Sequence, residues 1–180
     1  IGTTKLLGED GKIYDIATRE YGLLPDALIF DALTFTLATG DEEFSESAVE
    51  TLEGIRRIET ELPGVLTSLG VSNVSFGLAP TARAVLNSVM LYHAVQYGLD
   101  MAIVNPAHIT PYPEISEEER ALAEDLIYDR RPDALQRLIE HFEKSGPRSG
   151  KTDLGSVLLD HMASQVELGV PLAAALPAMA

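Results

Sequence analysis

The sequence runs Leu28-Ile29-Phe30-Asp31 one residue after the breaker pair Pro25-Asp26. The apolar run Leu28-Ile29-Phe30, which stops at a carboxylate, predicts a short buried strand, because a strand that is covered on both faces shows no polar alternation. Two further strand regions follow. One is the β-branched stretch Val65–Phe76, which Gly70 interrupts, and the other is the run Met101–Val104, which Asn105-Pro106 closes. The spacing of these three regions leaves room for a helix between each pair.

Amphipathic helices are predicted in those gaps and after the last strand. Ser116 and Glu119 have the spacing of a capping box, and Pro80 and Pro132 suit the first turn of a helix. Apolar residues recur at helical spacing in three segments: Val49, Leu52, Ile55, Ile58 and Leu62; Val85, Val89 and Tyr92; and Leu135, Leu138, Ile139 and Phe142. Strands that alternate with helices predict an α/β fold with a parallel sheet or barrel.

The composition limits the classes of function. Cysteine is absent, so the chain has no disulfide, thiolate zinc site or cysteine nucleophile, and its four histidines lack zinc-type spacing, so we expect no metal site. The formal net charge of −15 argues against a nucleic-acid partner, because phosphate backbones attract basic surfaces. No apolar run approaches the roughly 20 residues of a membrane helix, and no signal-peptide pattern is present. We therefore expect a soluble cytoplasmic protein without a membrane partner.

Three polar residues lie at or near the predicted carboxyl ends of the strands. Asp31 follows Phe30, Asn73 lies within Val65–Phe76, and Asn105 follows Val104. Side chains at these positions line the ligand sites of parallel α/β proteins. A carboxylate accepts paired N–H groups from an amino-pyrimidine edge, and an amide both donates and accepts, so the set suits a nitrogen-rich heterocycle. The alternative is that each residue only forms a turn with its own backbone.

Several stretches resemble the folate domain of cobalamin-dependent methionine synthases. They are Leu28–Gly40, Gly70-Val71-Ser72-Asn73-Val74-Ser75-Phe76-Gly77, Leu86-Asn87-Ser88 and Gly98–Asn105, and the similarity runs from about residue 13 to residue 151. The resemblance implies a (β/α)8 TIM-type barrel that binds methyltetrahydrofolate at the carboxyl ends of its strands. It also implies a methyltransferase, which passes the N5 methyl group to cob(I)alamin on a separate domain before delivery to homocysteine.

Carried over by position, the resemblance gives each candidate residue a role. It implies that Asp31 binds the pterin ring and that Asn73 hydrogen-bonds near N5, where it helps to stabilise the amine as the methyl group leaves. Asn105 is expected to reach the same mouth. Tetrahydrofolate is then the methyl-donor substrate, and cobalamin is the cofactor of a separate domain or protein. We predict that Asp31 and Asn73 lie on adjacent strands and face one pocket.

The chain is short for the fold that the resemblance implies. A full barrel takes roughly 250 residues and eight strands, so we expect residues 1–143 to form the last strands, the C-terminal half of the barrel. Residues 144–151 are predicted to be a linker and residues 152–180 a short helical or irregular extension. The missing half of the barrel, or a second copy of the chain, is the expected partner alongside the cobalamin-binding domain.

Two other functions stay open. One is a pterin-binding barrel of the dihydropteroate synthase type, which condenses its substrate rather than demethylating it; the Gly70–Gly77 stretch favours the methyltransferase. The other is a truncated, non-catalytic fragment that needs a partner chain.

Overall fold

The computed structural model describes residues 11–40 and 44–145. Three strands, β1 (Ile29–Asp31), β2 (Leu66–Leu69) and β3 (Met101–Ala102), form one parallel sheet in the order β1-β2-β3. The register pairs Asp31 with Ser68, and Ser68 in turn with Met101. The predicted mixed α/β architecture with a parallel sheet is confirmed.

Four α-helices follow β1 in the described part of the chain: α1 (Ser47–Glu61), α2 (Pro80–Gln96), α3 (Glu117–Ile127) and α4 (Ala134–Ser145). A further helical segment, which ends in the π-helix Ile16–Glu20, precedes β1. The helical periodicity explains the packing of the four α-helices, because the residues that the structure buries completely recur on one face of each helix, including Leu52, Ile55 and Ile58, Leu86 and Val89, Ile127, and Leu138. Ser116 caps α3 at the predicted position, where its Oγ accepts from the Glu119 N–H and donates to the Glu119 carboxylate. Tyr92 is not turned inward as expected; it is 39% exposed and stacks on Tyr112.

Helices cover one face of β1 and β2, whereas the prediction for β1 was that both faces are covered, and both residues of β3 are exposed. Phe30, Thr67 and Leu69 are buried, and Leu69 is 0% exposed. On the opposite face, Ile29 is 57% exposed, and Asp31 is exposed as well. Side chains alternate between the faces of a strand, so the packing of helices on one side leaves every second residue of β1 uncovered among the described residues.

The strand region predicted over Val65–Phe76, with an interruption at Gly70, is correct before Gly70 and wrong after it. The strand β2 stops at Leu69, and Val71–Ser75 forms a 3-10 turn. Gly70 leaves the extended conformation with φ −76° and ψ 71°, and its carbonyl then accepts the Asn73 N–H at 3.1 Å. Val71 and Val74 are both 0% exposed. In a 3-10 turn, residues three apart lie on the same side, so this turn buries both valines where a strand would separate them.

The helix α4 includes Lys144 and Ser145, the first two residues of the predicted linker. The remainder of that linker and the predicted extension 152–180 lie outside the described residues. Across the described residues, no helix is both long and apolar enough to span a bilayer.

Candidate functional site

The three candidate residues predicted from the sequence lie at or beyond the carboxyl ends of the strands. Asp31 is the last residue of β1, Asn73 lies in the 3-10 turn that follows β2, and Asn105 lies just beyond β3. All three side chains are exposed. Because the strands are parallel and neighbouring, their carboxyl ends meet at one edge of the sheet.

Asp31 forms a turn with its own backbone, and one of its oxygens stays open. Its Oδ1 accepts the Leu33 N–H at 2.9 Å, which is the turn-forming role considered above. Leu33 has φ +55°, a conformation that L residues rarely adopt, and its carbonyl accepts the Thr51 hydroxyl of α1 at 2.9 Å. Within residues 11–40 and 44–145, Oδ2 of Asp31 has no hydrogen-bond partner, so the turn leaves this oxygen able to accept from a ligand.

Asn73 has an exposed side chain in the middle of the 3-10 turn Val71–Ser75. Its backbone is held at both ends, since its N–H bonds to Gly70 and its carbonyl accepts the Phe76 N–H at 3.1 Å. Its side-chain amide bonds to none of the residues that the structure describes. A Cβ atom at Gly70 would lie 3.1 Å from Asn73 Nδ2, so the missing side chain of Gly70 makes room for this amide.

A polar network beneath the turn was missed from the sequence. Ser75 Oγ donates to Asn87 Oδ1 at 2.8 Å, while Arg83 Nε donates to Ser75 Oγ at 3.1 Å and Arg83 Nη2 donates to the Ser72 carbonyl at 3.2 Å. One signal was present in the sequence. Arg83 and Asn87 are four residues apart in α2 and therefore share a face of that helix.

Asn105 has a local role of its own. Its Oδ1 accepts the Ala107 N–H at 3.1 Å and caps the short 3-10 turn Pro106–His108. The Nδ2 group makes no hydrogen bond to the residues described, so it keeps two donors for another partner.

Two hydrogen bonds tie the loop after β1 to the turn after β2. The Leu37 N–H donates to the Val74 carbonyl at 3.0 Å, and the Thr36 hydroxyl donates to the Phe76 carbonyl at 2.6 Å. Phe76 is itself 69% exposed. Hydrogen bonds thus connect the segments that carry Asp31 and Asn73, and an exposed aromatic ring lies beside them. Within the same described ranges, no group of three His, Asp or Glu residues could hold a metal ion.

Comparisons with known proteins identify the family of the chain. The family of pterin binding enzymes matches residues 4–105, more than half of the chain. The methionine synthase of Mycobacterium tuberculosis is 47% identical over 139 residues, which are 76% of this chain and 12% of that protein. The methionine synthase of Mycobacterium leprae is also 47% identical over 139 residues, 75% of this chain and 12% of its own length.

The chain therefore spans only 12% of the length of these relatives. The predicted resemblance is confirmed over the matched part. On the strength of the family match, the chain belongs to the pterin-binding enzyme family, and it is homologous there to the methionine synthases.

Proposed function

We propose that the carboxyl-end edge of the sheet binds methyltetrahydrofolate and takes part in transfer of its N5 methyl group to cob(I)alamin. The observation that carries the proposal is the placement of Asp31 and Asn73 beside the ends of two adjacent parallel strands, in a chain that belongs to the pterin-binding enzyme family. The identity to methionine synthases favours methyl transfer over the condensation of a dihydropteroate synthase.

Asp31 is the proposed contact to the pterin ring. The amino-pyrimidine edge of a pterin offers adjacent N–H donors, and a carboxylate has about four lone-pair directions. The Leu33 N–H occupies one direction on Oδ1, which fixes the carboxylate plane and leaves Oδ2 for the ring. The turn-forming role of Asp31 and its proposed binding role are therefore compatible.

Asn73 is the proposed group at N5. The bond between the methyl carbon and N5 breaks with its electron pair staying on nitrogen, so N5 needs a proton or a strong hydrogen bond as the bond breaks. A preorganised amide donor supplies part of this stabilisation. The Asn73 side chain bonds to none of the described residues, and an amide in this state is available to a ligand. Asn105 Nδ2 is the proposed third contact at this edge.

Cob(I)alamin, bound on a separate domain or protein, supplies the nucleophile for the methyl group. The residues of this chain bind the donor, orient it and polarise N5. We further propose that β1, β2 and β3 are the last strands of a (β/α)8 barrel, and that the other strands come from a partner or from further chain. The uncovered face of the sheet supports this, because a barrel packs that face against its other strands.

The test uses a chimaera in which the matched part of this chain replaces the corresponding segment of the Mycobacterium tuberculosis methionine synthase. Titration with methyltetrahydrofolate measures Kd, and single-turnover transfer to cob(I)alamin measures the chemical step. We expect Asn73→Ala to slow transfer by on the order of 100-fold with little change in Kd, because a hydrogen bond that strengthens in the transition state acts on kcat. Asp31→Ala should instead raise Kd by roughly tenfold or more, since its bonds are present before and after transfer.

Two matched controls lie at the opposite edge of the sheet. Asp26→Ala removes a carboxylate before β1, and Gln96→Ala removes an exposed amide at the end of α2; both should leave Kd and the transfer rate unchanged. Absence of methyltetrahydrofolate binding would defeat the proposal. Binding without transfer would favour the condensing enzyme or the non-catalytic fragment. Transfer that survives Asn73→Ala would leave Asn73 with only its turn-forming role.

A further inference from the structure

We propose that Arg83 and Asn87 are positioning residues, which act through the Ser75 hydroxyl to fix the turn that presents Asn73. The inference rests on the proposed function, because that function assigns a catalytic role to the Asn73 amide. Neither Arg83 nor Asn87 contacts the substrate on this proposal. Their part is to set where the Asn73 amide lies.

The Ser75 hydroxyl is the centre of the network. Its oxygen donates to Asn87 Oδ1 at 2.8 Å and accepts from Arg83 Nε at 3.1 Å, and it also lies 3.3 Å from the Ser72 carbonyl. Ser75 is 0% exposed and Asn87 is 5% exposed, so water does not compete for these bonds. Buried polar groups that are satisfied in this way hold one geometry, because any movement leaves one of them unpaired.

Arg83 has no role in an ion pair that would explain its position. Within residues 11–40 and 44–145, no carboxylate forms a salt bridge with its guanidinium. It lies in the first turn of α2, where the helix dipole disfavours a cation. Its donors are directed at the turn instead, with Nε on Ser75 and Nη2 on the Ser72 carbonyl. A planar guanidinium that bonds at two points fixes an orientation, which a single ammonium group cannot do.

The two residues to which Arg83 donates hydrogen bonds lie on either side of Asn73. Ser72 precedes Asn73, and Ser75 follows it by two residues. Since the Asn73 side chain has no hydrogen bond of its own to the described residues, its direction depends on the backbone between these anchors. The network therefore fixes the orientation of the Asn73 amide through the backbone, without contacting the proposed ligand.

The first test reads the Asn73 amide directly in the full chain. Asparagine occurs only at positions 73, 87 and 105, so a protein labelled with ¹⁵N-asparagine gives three side-chain amide signals, which single Asn→Gln variants assign. Arg83→Lys should shift or broaden the signals of Asn73 and Asn87 and leave that of Asn105 in place. The matched control is Arg56→Lys, which alters an exposed arginine that bonds at two points to Glu53; it should move none of the three signals.

The second test measures kinetics in the chimaera described above. Arg83→Lys and Ser75→Ala should each lower kcat for methyl transfer by about tenfold or more, because small misplacements of a catalytic group cost rate steeply. The Kd for methyltetrahydrofolate should change by less than about twofold, since a group that acts on the transition state leaves ground-state binding intact. The double variant should lose little more than either single variant, because both changes break one network.

The outcomes separate this inference from the proposed function. If Asn73→Ala lowers kcat and Arg83→Lys does not, the positioning role is wrong and the catalytic role stands. If Asn73→Ala has no effect, the catalytic role fails, and the asparagine signals alone decide whether Arg83 fixes the turn. An unmoved Asn73 signal in Arg83→Lys would overturn the inference. If Arg83→Lys does not fold, Ser75→Ala in both measurements takes its place.

Discussion

At the scale of single residues, turn formation and ligand binding occur together at this edge. Asp31 and Asn105 each use one side-chain oxygen to hold their own backbone, at 2.9 Å and 3.1 Å. Each keeps its other polar atom without a hydrogen bond to the described residues. A side chain that is fixed by a local bond has lost rotamer freedom before a ligand arrives, which lowers the entropic cost of binding.

Gly70 is predicted to matter through the space that it leaves. Its φ of −76° is open to any L residue, so Gly70→Ala should change the free energy of unfolding by less than about 1 kcal/mol. The new Cβ, however, would lie 3.1 Å from Asn73 Nδ2 and push the amide aside by a few tenths of an ångström. We expect the ¹⁵N signal of the Asn73 side chain to move and methyl transfer in the chimaera to slow.

The matched control for this prediction is Gly11→Ala. A Cβ at Gly11 would meet nothing within 4 Å, so the Asn73 signal and the transfer rate should both stay as they are. A Gly70→Ala variant with unchanged signal and rate would mean that the amide has other equally good positions.

At the scale of elements, the loop after β1 depends on α1. Thr51 is 4% exposed, and its hydroxyl is 2.9 Å from both the Leu33 and the Ser47 carbonyl oxygens. The bond to Leu33 holds a residue at φ +55°. Thr51→Val keeps the shape but removes this donor, so we expect it to lower the free energy of unfolding by about 1–2 kcal/mol in a urea titration.

Thr60→Val, on the same helix, is the control. The Thr60 hydroxyl bonds to the Arg56 carbonyl one turn earlier, is exposed, and reaches no other element. Its loss should fall within about 0.5 kcal/mol. Equal losses in the two variants would show that the contact between α1 and Leu33 contributes nothing measurable.

A partly buried polar cluster joins α2 to α3. Glu124 accepts from the Tyr112 hydroxyl at 2.6 Å and from Arg130 at 3.2 Å, and its Oε1 lies 3.2 Å from His93 Nε2. Burial disfavours the charged form of Glu124, but these three contacts together outweigh burial, and the pKa of the carboxyl is lowered. The cluster thus satisfies a carboxylate at a helix interface.

Tyr128, at the end of α3, should titrate unusually late. Burial, with the neighbouring Tyr97 adding to it, raises the pKa of the Tyr128 phenol to about 12, against an ordinary pKa of about 10. Because the folded-state pKa is raised, the stabilisation is fully present below the ordinary pKa and is lost as the pH rises towards 12. We expect Tyr128→Phe to remove this late step from the tyrosinate absorbance titration and to flatten the loss of stability over that interval.

Tyr21→Phe is the control for the titration, since it removes a tyrosine that is 76% exposed. The late step should persist in that variant. A Tyr128→Phe protein with an unaltered late step would contradict the assignment to Tyr128.

At the scale of the whole molecule, the uncovered face of the sheet is the prominent feature. Ile29 of β1 is 57% exposed, and Met101 of β3, which aligns with Asp31 through Ser68, is 37% exposed. Ile103, just beyond β3, is 68% exposed. Exposed apolar patches and open strand edges favour association with another chain.

We predict that the full chain self-associates in a concentration-dependent manner. Light scattering should give a mass above 19.4 kDa, and Ile103→Lys should shift the population towards monomer, because a charge cannot be buried at the interface without a large desolvation cost. The control is Val95→Lys, which changes a residue of α2 that is 52% exposed and lies outside the sheet. A sharply monomeric wild-type chain with a cooperative melt would contradict the prediction.

The sequence by itself determined the fold class and the order of the elements. Helical periodicity and caps are local signals, so α1, α2, α3 and α4 could be located from residues a few positions apart. The alternation of apolar runs with these helices was sufficient for a parallel α/β sheet. The position of Asp31 at the end of β1 was also predicted, since a strand end is marked by neighbouring residues. The third strand was predicted to run to Val104, but β3 ends at Ala102, so Asn105 lies three residues beyond it.

Only the tertiary structure decided what lies under and around those residues. Gly70 marks an interruption of Val65–Phe76 in the sequence, but local pattern did not predict the 3-10 turn that follows it. This turn buries Val71 and Val74 together and lets Ser75 reach Asn87 on α2. The open face of β1 could not be predicted either, because a short apolar run does not indicate whether one face or both faces are covered. Both features depend on contacts between residues distant in sequence, and local pattern does not encode which partner a buried group meets.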